Sequence, residues 1–357
     1  MWRSLPLAAV LVLGVLLVSA ASAHRSGAQR KAASIQVCVL LPDTTSSVRY
    51  QLFDKPLLAK AFRAAGVTYS IVNALGSAQT QRSQGDQCLT QGAKVILVDA
   101  LDSGTGASIE AAAAAKNVKS IDYDRLVLNG KASYYVSFNN VGVGKLMANG
   151  LISALKAKGK YSKHPVIAEL NGGVTDNNAK LFKQGYDSVL KPLYNKGTFK
   201  LAKSGDQWTN WNAQTAATIF EQMLARNNNK IDAAIAANDN LAGAVVTDLK
   251  GHKLHSIPLT GQDATPQGVQ YILAGWQSGT VYKPVRLEAN AAAKVAVAIL
   301  KGKPVKTNAK TNNSVRNVPS VYLKPIWITK KNYKTLFKDK AVKRSQVCIG
   351  AYKKYCK

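Results

Sequence analysis

A chain of 357 residues with 46% hydrophobic and 19% charged content is too apolar to be disordered and too long for one small core, so two packed domains are the starting expectation. Lys and Arg outnumber Asp and Glu by 48 to 19, a net charge of +29 that permits loose adhesion to anionic cell-surface polymers, lipid headgroups or nucleic acid. The cations are spread along the chain and denser after Leu300, with no aromatic-interleaved or helix-turn-helix pattern, which argues against specific nucleic-acid recognition.

In chain order, Met1-Trp2-Arg3, an apolar block over 5–18 and Ala21-Ser22-Ala23 read as a secretory signal peptide over 1–23, with an apolar part too short to span a membrane. No cysteine follows the small residues to take a lipid, so the expected destination is periplasmic or otherwise extracytoplasmic. A Ser/Arg/Lys/Ala linker covers 24–33. Strands are then expected at 34–41, 67–72, 94–98, 118–123 and 134–138, with helices at 56–65, 79–91 and 107–115 between them. The pattern restarts with helices at 143–156, 178–189 and 214–225, strands at 165–170 and near Phe199, and three short strands between Ile231 and Pro284. A helix over 287–300, a Lys/Asn-rich connection and a last strand over 321–328 follow. Unbroken Val/Ile/Leu runs point to strands covered on both faces, and two βα series of similar length to two doubly wound parallel-sheet lobes. The elements added after both series predict that the chain crosses back to the first lobe and then returns.

An even number of cysteines in an exported chain favours disulfides over metal ligation. Spacing separates them into Cys38 with Cys88, tying the first strand to the second helix, and Cys348 with Cys356, stapling a short tail. Two buried free thiols plus a reactive pair are the alternative.

Three short runs stop at polar side chains where a strand would end: Asn238, Asp263 and Lys283. Ligands bind outside the carboxyl ends of strands in open parallel sheets, so an amide, a carboxylate and an ammonium are expected to face one ligand. None is a nucleophile beside a base, and together they suit the hydroxyls of a neutral polyol better than bond cleavage. Asp124-Arg125 ends another strand and offers acceptors beside a forked donor, unless it is a solvated turn. Of Trp208 and Trp211, one fits a core and the other the apolar face of a pyranose.

Other readings are weaker. Gly142-Val143-Gly144 opens a helix as a dinucleotide fingerprint does, but Met147 holds the third glycine position and no acidic residue follows at the ribose distance, so close packing of helix on strand is expected and no cofactor. His252 and His255 lie in a turn without further ligands, so no metal is expected. A glycosidase would need two carboxylates across the scissile bond, for which Asp124 and Asp263 are the available pair. The plain alternative for Asp263 is a cap on the helix that begins near Thr265.

Asp124-Arg125, Ser137-Phe138-Asn139-Asn140, the run from Asp176 to Phe182, Gly205-Asp206-Gln207-Trp208, the run from Asn227 to Asp232, Asn238-Asp239, Gly261-Gln262-Asp263 and Val281-Tyr282-Lys283-Pro284 together resemble the D-xylose-binding proteins of bacterial ABC importers, within the ribose/galactose-type periplasmic sugar-binding family. The likeness runs in order from about Ser34 to Thr329. It implies the type I periplasmic binding protein fold: two Rossmann-like lobes joined by a three-crossing hinge, lobe one over 34–139 and 284–315, lobe two over 140–283 and 316–337, and a basic tail over 338–357. It implies sugar contacts at Arg49, Asp124, Arg125, Asn178, Trp211, Asn238, Asp263 and Lys283. The loop 43–53 departs from the family's pattern, with Tyr50 where a tryptophan is expected. The implied function is non-catalytic capture of a monosaccharide, D-xylose foremost, by a monomer that delivers it to an ABC permease; a receptor feeding a chemosensory or signalling partner and a sugar-active enzyme are the alternatives.

Overall fold

The computed structural model describes residues 34–356, and the leader and linker expected over 1–33 lie outside the described residues. The first series is β1 (Val37–Leu41), α1 (Lys55–Ala64), β2 (Tyr69–Asn73), α2 (Ala78–Thr90), β3 (Val95–Val98), α3 (Ser103–Ala115), β4 (Lys119–Tyr123) and β5 (Tyr134–Phe138). The second is α4 (Asn140–Ala157), β6 (Val166–Asn171), α5 (Asn177–Asn195), β7 (Lys200–Trp208), α6 (Ala213–Arg226), β8 (Ala233–Ala236), α7 (Asp239–Gly251), β9 (Leu259–Gln262), α8 (Pro266–Ala274) and β10 (Gly279–Tyr282). After these come α9 (Val285–Leu300), β11 (Ala309–Asn312), β12 (Asn317–Leu323), β13 (Ile326–Ile328), α10 (Lys334–Lys338) and α11 (Arg344–Val347). Two α/β lobes result. Their sheets run β11-β12-β5-β4-β3-β1-β2 and β13-β10-β9-β8-β6-β7, parallel except for the antiparallel edge strands β11 and β13.

The all-apolar run of β1 has a direct cause. Val37, Val39 and Leu41 face a core with Leu58 and Phe62 of α1 and Ala292 and Ala296 of α9, while Cys38 and Leu40 face a second core with Cys88 of α2 and Ile109 of α3. Both faces of the strand are covered, so the period-two alternation carries no polar residue. Burying each Val or Leu stabilises the fold by about 1.5–3 kcal/mol. On the second face Cys38 is joined to Cys88, with Cα atoms 6.0 Å apart.

In the second lobe α4 and α5 approach closely because neither has a side chain at the crossing. A Cβ on Gly144 would run into the carbonyl oxygen of Phe182, and one on Gly185 into that of Val141. Of Gly142-Val143-Gly144, it is Gly144 that serves close packing, of helix on helix rather than on a strand.

The third crossing lies elsewhere than expected. The segment 321–328 is not one strand: β12 runs parallel to β5 in the first sheet and β13 antiparallel to β10 in the second. The chain changes sheets at Lys324-Pro325, not at 315–316, so Asn317–Leu323 belongs to the first lobe. Pro325 lacks an N–H for a ladder and restricts the residue before it, which ends β12 there. The segment after β13 is a packed appendage: Leu336, Val342, Val347 and Cys356 share a core with Val269 and Leu273 of α8, and Cys348 is joined to Cys356.

Candidate functional site

The fold brings the strand ends of both lobes to one place. Asp124 follows β4, Asn238 follows β8, Asp263 follows β9 and Lys283 follows β10, while Asn178 sits in the first turn of α5 and Trp211 just before α6. These residues, with Arg49 and Arg125, line one narrow cavity of about 20 Å³ between the lobes. Trp211 stands edge-to-face to Phe182 at 6.4 Å, and its indole N–H donates to Asp176 Oδ2 at 3.1 Å. Gly172 makes room for it, since a Cβ there would meet the indole ring. Trp208 lies outside this cavity.

Backbone strain collects here. Asp124, Trp211 and Asp263 have φ of +58°, +61° and +94°, a left-handed region that costs non-glycine residues on the order of 1–3 kcal/mol each. The surroundings hold them there. The carbonyl of Asp124 accepts from Ser137 Oγ (2.7 Å), Tyr135 Oη (2.9 Å) and Asn178 Nδ2 (3.1 Å). Asp263 N–H donates to the Val281 carbonyl at 2.8 Å, and the next amide, Ala264, donates to Thr280 Oγ1 at 3.2 Å.

The two arginines have different duties. Arg49 is saturated by carboxylates: it reaches Asp54 at 2.7 and 2.9 Å, Asp124 at 3.1 Å and Glu288 at 2.5 Å. Its side chain borders the cavity, yet its guanidinium braces Asp124 instead of standing free for a ligand. Arg125 donates to Ser46 Oγ at 2.8 Å and the Ala100 carbonyl at 3.2 Å, and its buried Nε has no hydrogen-bond partner. Tyr50 lies between both guanidiniums, 5.6 and 5.5 Å from its ring centre, and its hydroxyl donates to Asp124 Oδ2.

Carboxyls outnumber cations around the cavity. Asp54, Asp124 and Glu288 surround Arg49; Asp43, Asp99 and Asp176 surround Arg125; Lys283 is 3.6 Å from Asp263 and 3.8 Å from Asp124. Fewer positive charges than carboxyls means that some carboxyls keep a proton. Burial raises Asp99 and Asp176 against the pull of Arg125, and raises Glu288 to about 8 despite Arg49. Burial also opposes ionisation of Asp124, but Arg49, Lys283 and Arg125 together outweigh it and hold that group at about 2.

The lobes are closed on each other. Asn238 Nδ2 donates to the Ser46 carbonyl at 3.1 Å, Ser47 Oγ to Asp263 Oδ2 at 3.3 Å, and Arg125 Nε lies 3.4 Å from Asp176 Oδ2. Asn238 is also the cap of α7, its Oδ1 accepting from Leu241 N–H. Asp263 caps nothing: Thr265 caps α8, and Asp239 holds the amide of Thr265 at 2.8 Å. Asp263 Oδ1 and Gln262 Oε1 are buried without hydrogen-bond partners.

Residues 37–304 match the family model described as a periplasmic binding protein domain. The chain belongs to the periplasmic binding proteins. It is 35% identical over 297 residues to the D-xylose-binding periplasmic protein of Escherichia coli, covering 82% of this chain and 87% of the relative. It is 32% identical over 335 residues to that of Haemophilus influenzae, covering 93% and 96%. A solute-binding protein of an ABC transporter from Clostridium phytofermentans, with bound β-D-glucose, superposes with a TM-score of 0.81 at 27% identity over 87% of this chain and 99% of that one. The family is one of binding proteins rather than an enzyme class. Among the described residues, no helix is long and apolar enough to cross a membrane.

Six residues of this periplasmic binding protein's cavity were not named as sugar contacts from the sequence: Ser46, Ser47, Tyr50, Asp176, Phe182 and Gln262. Three carried a usable signal, since Asp176 and Phe182 open and close one of the family-like runs and Gln262 lies within another. The loop residues Ser46, Ser47 and Tyr50 sit where the chain departs from the family's pattern and carried none.

Proposed function

We propose that this periplasmic binding protein is exported, captures a neutral monosaccharide, D-xylose foremost, between its lobes, and delivers it as a monomer to an ABC permease. The observation that carries the reading is the charge of the cavity. In a chain of net charge +29, the lining of the closed cleft is balanced, with Asp124, Asp176 and Asp263 facing Arg49, Arg125 and Lys283, so it offers acceptors and donors to hydroxyls without the cationic excess that would draw an anion. Trp211 and Phe182 add aromatic surface for the apolar face of a sugar ring. In this reading Asp124, Asp263 and Asn178 accept from hydroxyls, Arg125, Asn238 and Lys283 donate to them, Trp211 stacks, and Arg49 holds Asp124 in place.

Contacts from both lobes make the ligand favour the closed state. A thermal-shift panel of D-xylose, D-glucose, L-arabinose, D-ribose and D-galactose tests the reading. A sugar at about 100 times its Kd adds roughly 2.7 kcal/mol to apparent stability. If none of the five moves the midpoint, the sugar reading fails; if another sugar exceeds D-xylose, the assignment of the sugar changes and the class stands.

A further inference from the structure

A second cavity, of about 600 Å³, lies beside the first. The two share Ser47, Arg49, Asp263 and Lys283, so those side chains form the wall between them. Four parts of the fold enclose it: the loop and π-helical turn before α1, the start of α8, the crossing from β10 into α9, and the segment after α10. First lobe, second lobe, hinge and C-terminal appendage all contribute.

Its lining combines two features. Val48 and Leu52, 38% and 59% exposed, face it together with Phe53, Leu57, Val285 and Val342, giving it a largely apolar surface. Cations stand among them: Lys60, Arg286, Lys338 and Lys340, against Asp263 and Asp339. Both acids are engaged elsewhere. Asp263 lies by Lys283, and Asp339 and Arg286 both stand close to the Tyr282 phenol. Lys60, Lys338 and Lys340 form no ion pair among the described residues. The volume lies within the range of small-ligand sites, and apolar walls with unpaired ammonium groups complement a flat apolar molecule with one negative charge.

We propose that this cavity is a second ligand site, specific for a small aromatic organic anion such as an aryl carboxylate or sulfonate. Because its walls belong to both lobes, such a ligand binds the closed form best and raises affinity for the sugar, by the same factor as the sugar raises its own. That coupling, but not the site, rests on the sugar reading.

The probe is 8-anilinonaphthalene-1-sulfonate, titrated by fluorescence into the full-length protein, with uncharged N-phenyl-1-naphthylamine alongside. One saturable equivalent is expected, with the uncharged analogue at least tenfold weaker. Leu52→Asp and the double variant Lys338→Glu/Lys340→Glu, all at exposed positions outside the sugar cleft, should each weaken the sulfonate at least tenfold without lowering the melting temperature. Non-saturating binding, equal binding of the uncharged analogue, or an affinity unmoved by either variant overturns the site. Saturating D-xylose should tighten the sulfonate at least threefold, and an unchanged affinity overturns the coupling. If calorimetry shows that none of the five sugars binds, the sugar reading has failed, and the sulfonate titrations still decide the site; if another sugar binds in place of D-xylose, that sugar is used for the coupling test.

Discussion

Asp263→Asn separates a ligand contact from a structural role. Asparagine keeps the volume and tolerates the left-handed backbone at φ +94°, so the substitution changes charge and little else. In the closed cleft Oδ2 accepts from Ser47 at 3.3 Å, and Oδ1, buried without a hydrogen bond, lies 3.6 Å from the Lys283 ammonium. A sugar hydroxyl donating to this carboxylate makes a charge-assisted bond of about 1.5–3 kcal/mol, roughly twice a neutral one. The amide loses about half of that for each of the bonds the carboxylate makes, and either places its NH₂ against Lys283 or gives up an acceptor. The expected loss is at least about 1.4 kcal/mol, tenfold in Kd. The fold has little reason to respond, because Thr265 caps α8 and Lys283 keeps Asp124 at 3.8 Å. Calorimetric titration with D-xylose, read beside a thermal melt, checks both halves. An affinity within twofold of the native protein, together with a lowered melting temperature, would refute the reasoning and make Asp263 a structural residue.

Arg49→Met strips the counter-charge from Asp54 and Asp124 and a donor from Glu288, all within 3.1 Å of the guanidinium; breaking such a buried cluster costs about 3–5 kcal/mol, and a urea-denaturation loss under about 1 kcal/mol would contradict it. Burial raises Glu288 to about 8 and Asp239 to about 7, so each carries in the fold a proton that the unfolded chain releases near pH 4. Their stabilising contribution is complete below pH 4 and is lost as pH rises through those values, up to about 1.4 kcal/mol per unit for each group; the urea midpoint should fall from pH 5 to 8, less steeply in Glu288→Gln, and a flat native profile would argue against a protonated Glu288. The Cys38–Cys88 bridge closes a loop of 50 residues and the Cys348–Cys356 bridge one of 8, so by chain entropy their loss costs about 4 and 2.5 kcal/mol respectively. Peptide mapping without reduction checks the pairing, and Cys348→Ser/Cys356→Ser should leave D-xylose affinity within twofold.

What was legible in the sequence follows from what each feature depends on. A strand covered on both faces announces itself locally, as Val37 to Leu41 does, because every side chain enters one of two cores. Residues just past such strands inherit a position from the sheet, which is why Asp124, Asn238, Asp263 and Lys283 could be named together. The change of sheet within 321–328 depends instead on which neighbour each half finds, and Val-Tyr-Leu-Lys-Pro-Ile-Trp-Ile reads as one strand unless Pro325 is weighed as a break. Left-handed backbone at Asp124, Trp211 and Asp263 leaves no mark at all, since none is glycine and the donors that hold Asp124 come from β5 and α5.

Charge shows the same division between what adds along a chain and what only folding arranges. The total of +29 is a sum over residues, and it points to anionic surfaces as neighbours of the protein. The cationic excess is absent from the cleft, because Asp43, Asp54, Asp99, Asp124, Asp176, Asp263 and Glu288 come from six separate stretches of chain and converge on three cations. Salt screens the exterior charges over about 8 Å at physiological ionic strength, whereas the buried groups are screened far less. A salt-sensitive cationic surface is therefore compatible with a charge-balanced interior suited to a neutral ligand.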